Sequence, residues 1–398
     1  MNPSSAGWIK KFITEIDQNE LCMAYNEVSD LYFGLKSSGF IYGMSIVGIK
    51  PQPKTNIKLT VEENTKINLF HSLCFIYFKK FPKAQYSDCI ISLVTFYQRM
   101  GKGQPGLLHK LSFSKNPSDT LEGIINARLH ENNLTRNAEV TSLITYVLLF
   151  IDLLVFEDFL LGNEAIQGSF DRMEYYCIQA CAWAIESKPR PNKYDHMFIE
   201  MLHQALKNPL KYDEPESQNL LKKVNKHSSL FKVFLIDICC LGVWDGRILQ
   251  TEEANFLQNL EKAIGLNSGA AADGINDLDR FSEKYTQSVR LFEHSNPVKL
   301  IYNQSSAMVK TLILRNKNRL IQELAESGEL LKLLTLSTIR DLNKKEKQKV
   351  KEQLLDICKT IPSLTLFLLP GGSLLLPIMV KLIPALLPSA FNDNAIKD

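Results

Sequence analysis

Two carboxylates, Asp245 and Glu252, have the residue types and spacing that best fit metal binding in this sequence. Asp245 follows an apolar segment at an Asp-Gly turn, and Glu252 falls in the first turn of the helix predicted next. Carboxylate oxygens are the ligands that hard divalent cations prefer, so the pair could hold such a cation across the turn. A second interpretation stays open, in which Asp245 begins the turn, Thr251 caps the helix and Glu252 stabilises its positive end. A divalent cation is the one cofactor that the sequence suggests.

A run of lysines near the C-terminus is the second group of residues with a recognisable chemistry. Its five members are Lys344, Lys345, Lys347, Lys349 and Lys351. Clustered ammonium groups are attracted to anionic lipid by about 1 kcal/mol per charge, and they bind RNA phosphates with release of counterions. Acidic residues are interleaved with the lysines, so a solvated helix face is a further interpretation. The run therefore predicts contacts with lipid or RNA phosphates.

Reaction chemistry is not predicted, because the motifs of familiar catalytic sites are missing from the sequence. It contains no Gly-x-Ser-x-Gly elbow, no P-loop, no Gly-x-Gly-x-x-Gly fingerprint and no His-Glu-x-x-His zinc motif. The seven histidines are scattered along the chain. We therefore expect a protein that is not an enzyme and has no small-molecule substrate.

Helical periodicity runs through nearly all the long segments that must position these residues. Thr60 precedes the segment 61–80, and Glu63 three residues later completes the spacing of a capping box. Residues 143–156 are apolar except for Asp152, so we expect a buried helix there rather than a membrane span. The predicted fold class is all-α, with a multi-helical N-terminal domain, a small helical module and proline-interrupted apolar helices at the C-terminus.

Composition and turn-rich stretches predict three parts of a globular chain. The 398 residues are 45% hydrophobic and 22% charged, which excludes a mostly disordered chain and a polytopic membrane protein. We expect a helical domain at 1–225, a module at 226–292 and a basic region with an apolar tail at 297–398. The net charge of +3 gives no overall basic field, although 297–398 holds 15 Lys and Arg against 9 Asp and Glu. Eight cysteines and a start without an apolar signal core predict mostly buried cytosolic thiols.

The apolar tail has the length but not the continuity of a membrane-spanning helix. Residues 361–380 carry no charge, and 20 apolar residues span one hydrocarbon core. Prolines and the Gly371-Gly372 pair interrupt the segment, so a re-entrant hairpin and a kinked tail packed in a globular core stay open as alternatives. Membrane contact is predicted for seven residues: Ile361, Leu366, Phe367, Leu369, Leu375, Ile378 and Phe391.

The stretch around Asp245 resembles the TerB (tellurite-resistance B) domain. The resemblance is carried by an apolar helix that ends in Asp245-Gly246-x-Ile248 and by Glu252 seven residues after Asp245. It implies an all-helical module whose acidic residues, here Asp245 and Glu252, bind metal. We expect this TerB-like module to respond to a cation or to bind a partner.

The proline spacing of the tail is similar to the Letm-type region of the leucine-zipper/EF-hand transmembrane protein family. The motifs that carry it are Ile361-Pro362-Ser363, Leu369-Pro370, Leu376-Pro377, Ile383-Pro384 and Leu387-Pro388-Ser389-x-Phe391. Together with the TerB-like module and the Asn2-Pro3-Ser4 start, the chain resembles bacterial Letm-related biofilm-associated proteins. The family resemblance implies links to the inner membrane, to cation/proton exchange and to ribosome binding. It also implies that the ribosome-binding domain lies largely after the proline-rich segment.

The expected function is that of a non-enzymatic, membrane-associated protein of the Letm-related, biofilm-associated type. Its expected location is the bacterial cytoplasm, at the cytoplasmic face of the inner membrane. A ribosome-associated factor is the alternative, and a cation-exchange component or a soluble interaction scaffold are further ones. No acidic residue lies between Ile361 and Phe391, where an exchanger normally needs one. DNA is not expected as a partner.

Overall fold

The fold was examined in a computed structural model. It describes residues 1–3, 5–55, 59–103, 116–129, 142–206, 217–245, 249–285, 313–314, 316–361, 364 and 376–387. Every regular element in these ranges is helical, which confirms the predicted all-α class. All eight cysteines lie within these ranges as free thiols, and six of them are buried. The expectation of mostly buried thiols is confirmed.

The chain divides into two compact units. The first unit comprises Met1–Glu131, Ser142–Asp195 and Leu206–Pro297, and the second comprises the remaining residues, chiefly Val298–Asp398. Compactness alone defines these two units, and it does not show which segments fold independently. The predicted division into 1–225, 226–292 and 297–398 therefore stays a prediction.

Most of the described helices belong to the first unit. They are α1 (Trp8–Glu15), α2 (Gln18–Met23), α3 (Val28–Ser38), α4 (Val61–Lys80), α5 (Tyr86–Met100), α6 (Pro117–Leu129), α7 (Ser142–Leu160), α8 (Ile166–Glu186), α10 (Ser217–Val224), α11 (Ser229–Val243), α12 (Thr251–Ala263) and α13 (Ala270–Tyr285). The partition between the units runs through α9 (Lys193–Leu206).

The core of the first unit is built around α4. Every residue from Glu63 to Phe78 is buried, because α2, α3, α5, α6 and α7 all pack against this helix. The predicted capping box at its start is confirmed: the Thr60 hydroxyl accepts from the Glu63 amide at 3.2 Å, and the Glu63 carboxylate accepts from the Thr60 amide at 2.8 Å. Two otherwise unpaired amides at the helix start are thereby satisfied.

The apolar helix α7 is buried inside the first unit, as predicted. Asp152, the charge that interrupts its apolar run, is fully buried and lies opposite Arg128 of α6. The Arg128 guanidinium donates to both carboxylate oxygens, at 3.0 and 2.8 Å, and the Tyr97 hydroxyl donates to one of them at 3.1 Å. A buried charge is tolerated only with this kind of full pairing, so the three side chains fix how α5, α6 and α7 pack.

The described helices of the second unit are α14 (Lys317–Glu326), α15 (Gly328–Ile339), α16 (Lys344–Thr360) and α17 (Leu376–Leu386). α15 packs against the other three, and α16 also contacts α17. The shared core consists of buried apolar side chains, among them Leu324, Leu330, Leu334, Val350, Leu354, Ile357, Ile361, Met379 and Ile383.

α16 does not continue into the uncharged segment 361–380. α16 ends at Thr360, Ile361 has an extended backbone with φ −109° and ψ 107°, and α17 begins only at Leu376. Within the described residues, no helix combines the length and the apolar character needed to cross a membrane.

Candidate nucleic-acid interface

The start of α16 is fixed by its own sequence. The Asn343 side chain accepts from the Glu346 amide at 2.9 Å, and the Glu346 carboxylate accepts from the Asn343 amide at 2.8 Å. This reciprocal capping box sets the first residue of the helix at Lys344. It therefore also sets which way the lysines that follow will point.

One side of α16 is apolar and lies in the core of the second unit. Val350, Leu354 and Ile357 recur at intervals of four and three residues and are all buried. This spacing is that of one helix face, so the residues between them must turn toward solvent. All five lysines predicted to contact phosphates are exposed.

Three ion pairs involve cations in or beside α16. Arg340 donates to both carboxylate oxygens of Glu346, at 2.9 and 2.7 Å. Lys349 pairs with Glu329 of α15, and Lys359 pairs with Asp356 at 2.6 Å. The Arg340 guanidinium and the Asn343 amide lower the pKa of Glu346 to about 2. Glu346 is therefore ionised at neutral pH, and its charge is compensated by Arg340.

Four of the five lysines have no ion-pair partner within the described ranges: Lys344, Lys345, Lys347 and Lys351. These residues form what we name the lysine cluster. Lys344, Lys347 and Lys351 are spaced three and four residues apart, so they lie in one row along the helix. At 1.5 Å per residue, the row extends over about 10 Å. Lys349 does not belong to the cluster, because Glu329 compensates its charge.

Two members of the lysine cluster lie where a helix tolerates positive charge least. Lys344 and Lys345 are the first two residues of α16, where the helix dipole is already positive. Lys347 and Lys351 are like charges four residues apart, a spacing that destabilises a helix by about 0.2–0.5 kcal/mol. Unpaired lysines added to a helix N-terminus create a strongly positive patch that favours bound anions.

The apolar residues predicted to contact a membrane are only partly described. Ile361 is 1% exposed, with its side chain in the core of the second unit. Ile378 lies in α17, where only its backbone is described. The others fall outside the described residues: Leu366, Phe367, Leu369, Leu375 and Phe391. Membrane contact by this set stays a prediction.

The turn between α11 and α12 holds the two carboxylates predicted to bind metal. Asp245 follows α11 and is half-buried, and Glu252 is exposed in the first turn of α12. The expectation that Thr251 caps α12 is wrong, because Gln250 is the N-cap. The backbone N–H of Gln250 donates to the Glu253 carboxylate at 2.8 Å. Among the described side chains, no group of three or more His, Cys, Asp or Glu is placed to hold a metal. A cation at Asp245 and Glu252 stays a prediction.

Comparison with known proteins bears on this end of the chain. Residues 342–398 match the model of the family described as LETM1-like, RBD, where RBD denotes a ribosome-binding domain. No curated protein and no solved structure matches the chain. The match begins before α16 and includes the proline-rich segment; that the ribosome-binding region lies largely after this segment stays a prediction. The lysine cluster and α17 both fall within the matched residues, and this match supports a Letm-related protein.

Proposed function

We propose that the C-terminal segment binds the ribosome, with the lysine cluster contacting RNA phosphates. The observation that carries this proposal is the coincidence of the cluster with the segment that resembles a ribosome-binding domain. Four uncompensated charges lie in the first half of one helix, two of them on its first two residues, and the cluster extends over about 10 Å. The proposed role is binding rather than catalysis.

The proposal implies a defined dependence on salt. Each phosphate contact releases counterions. It makes the slope of log affinity against log salt concentration more negative by about 0.7–0.9. Four contacts give a slope of about −3, so raising the salt concentration fourfold lowers the affinity by roughly 50- to 150-fold. The affinity of a contact made mainly by apolar or neutral groups would depend far less on the salt concentration.

The test is co-sedimentation of the full chain with purified ribosomes over a range of salt concentrations. A variant with Lys344, Lys345, Lys347 and Lys351 all replaced by Gln is expected to lose most of its binding. The matched control replaces four exposed lysines of the first unit by Gln: Lys80, Lys83, Lys222 and Lys223. Both variants change the net charge equally, so equal loss of binding would mean that general charge, not the lysine cluster, attracts the ribosome.

Anionic lipid is the other polyanion that the lysine cluster could bind, at about 1 kcal/mol per lysine. The same two variants are therefore tested on vesicles with and without phosphatidylserine. Binding to the ribosome but not to vesicles supports the proposal. Binding to vesicles alone would overturn it, and would favour a place at the cytoplasmic face of a membrane, as the resemblance to biofilm-associated proteins implies.

A further inference from the structure

A cavity of about 250 Å³ opens between α3 and α13 of the first unit, far in the sequence from the lysine cluster. Four residues of α13 line it: Asp277, Arg280, Phe281 and Lys284. Their spacing places them on one face of the helix, turned toward α3. The opposite wall includes Phe33 and Lys36 of α3, together with Tyr42. The cavity thus combines aromatic surface with cationic groups.

The negative charge at this cavity is already neutralised. The Lys36 ammonium bridges Asp237 of α11, at 2.9 Å, and Asp277, at 2.7 Å. The second oxygen of Asp277 accepts from Arg280 at 3.2 Å, and that of Asp237 accepts from the Tyr32 hydroxyl. Both carboxylates are fully engaged by protein groups. The cavity therefore has no free acidic group with which to bind a cation.

Positive charge remains in excess at the cavity mouth. The Arg280 side chain is 74% exposed, and one of its amino groups contacts Asp277, which leaves further N–H donors facing outward. Lys284 is also exposed, and within the described ranges it has no ion-pair partner. Three cations and two carboxylates leave a net charge of about +1, which suits a ligand with one negative charge.

Tyr42 gives a second and independent sign of a ligand. A turn that begins at Gly39, whose φ of 88° suits glycine, places this side chain beside Phe281 with ring centroids 5.1 Å apart. Tyr42 is 1% exposed, and its hydroxyl has no hydrogen-bond partner among the described residues. Burial raises the pKa of Tyr42. The hydroxyl therefore stays protonated and can donate a hydrogen bond. A buried donor without an acceptor is costly, and an oxygen of a bound anion would satisfy it.

We propose that this cavity binds a small organic anion, consisting of one planar ring that carries a carboxylate or phosphate group. The ring packs on Phe33, while the anionic group accepts from Arg280, Lys284 and the Tyr42 hydroxyl. Phe33 is 58% exposed at the mouth, which leaves its face open to a ligand. The volume lies below the range typical of drug-sized ligands, so a single ring fits better than a larger molecule. The binding site is separate from the proposed ribosome contact and does not depend on it.

The test measures binding of 4-hydroxybenzoate and phenyl phosphate to the full chain by calorimetry. Benzyl alcohol supplies the ring without the charge, and acetate and inorganic phosphate supply the charge without the ring. We expect the ring-bearing anions to bind at least tenfold more tightly than these controls. Preference for 4-hydroxybenzoate assigns the group as a carboxylate, and preference for phenyl phosphate assigns it as a phosphate.

Three variants locate the binding. Tyr42→Phe keeps the ring and removes a hydroxyl that bonds to no described group, so the fold is retained while binding weakens about tenfold. Arg280→Gln is expected to weaken binding similarly, and Arg190→Gln, on the surface of the same unit, leaves it unchanged. Thermal unfolding of each variant checks the fold. No saturable binding up to about 10 mM, or equal binding to all three variants, would overturn the proposal.

Discussion

We expect the first unit to lose stability as the pH falls below 6.5, because His71 is buried there as a neutral imidazole. His71 lies in α4, fully buried, and neither ring nitrogen has a hydrogen-bond partner among the described residues. Burial lowers the pKa of His71 from 6.5 to about 3. Between these values the unfolded chain binds the proton and the folded chain does not, so acid favours unfolding. At pH 5 the loss of unfolding free energy is about 2 kcal/mol, at 1.4 kcal/mol per pH unit.

The comparison is with His71→Leu, which is apolar, of similar size and cannot titrate. Urea unfolding is followed by tryptophan fluorescence, because all three tryptophans belong to the first unit. At pH 7 the variant is expected to be at least as stable as the unchanged chain, since it loses no hydrogen bond within the described structure. At pH 5 it should gain about 2 kcal/mol relative to the unchanged chain.

A neighbour in the same helix provides the control. Ser72 is also buried, and Ser72→Ala removes a polar group that does not titrate. Its stability should therefore follow the same pH dependence as the unchanged chain. If His71→Leu also kept that pH dependence, the imidazole would be protonated as easily in the folded chain as in the unfolded one. The reasoning from burial would then be refuted.

Two further predictions concern charges with and without partners. Arg128→Met leaves Asp152 buried and without its bidentate partner, so unfolding free energy should fall by about 3–5 kcal/mol in urea titrations. Adding Asp152→Leu should restore most of the loss; no recovery would mean that packing, not charge, was disrupted. In the ribosome assay, Lys351→Gln should reduce the salt slope by about 0.7–0.9, whereas Lys349→Gln should leave it unchanged. If the two variants had equal salt slopes, Lys349 would contact RNA phosphates despite its ion pair with Glu329.

Features set by neighbouring residues could be predicted from the sequence. The capping box of Thr60 and Glu63 is one, because both hydrogen bonds join residues three positions apart. The same pattern at Asn343 and Glu346 was missed, although the Asn-x-x-Glu spacing was visible. At α12 the prediction was one residue off: Gln250 is the N-cap, and its backbone N–H donates to the Glu253 carboxylate. Local capping rules thus fix helix starts to within about one residue.

Features that join distant residues could not be predicted in the same way. The apolar run of α7 indicated burial, but nothing in it identified Arg128 as the partner of Asp152. Likewise, all five lysines of the basic run look alike in the sequence. Only the packing of α15 on α16 places Glu329, 20 residues away, beside Lys349 and so separates it from the lysine cluster. Such pairings depend on tertiary packing, which helical periodicity does not encode.

The bridge between α3 and α11 also has a consequence for synthesis of the chain. Tyr32 and Lys36 face Asp237, and Tyr32 is 205 residues from it. At 5–20 residues per second, the ribosome needs about 10–40 s to make the chain between them. During that interval Tyr32 and Lys36, which are buried in the finished fold, lack the carboxylate that pairs with them, and this side of α3 is open to chaperones or to aggregation. Slow, late closure of the first unit is thus built into the order in which its helices emerge.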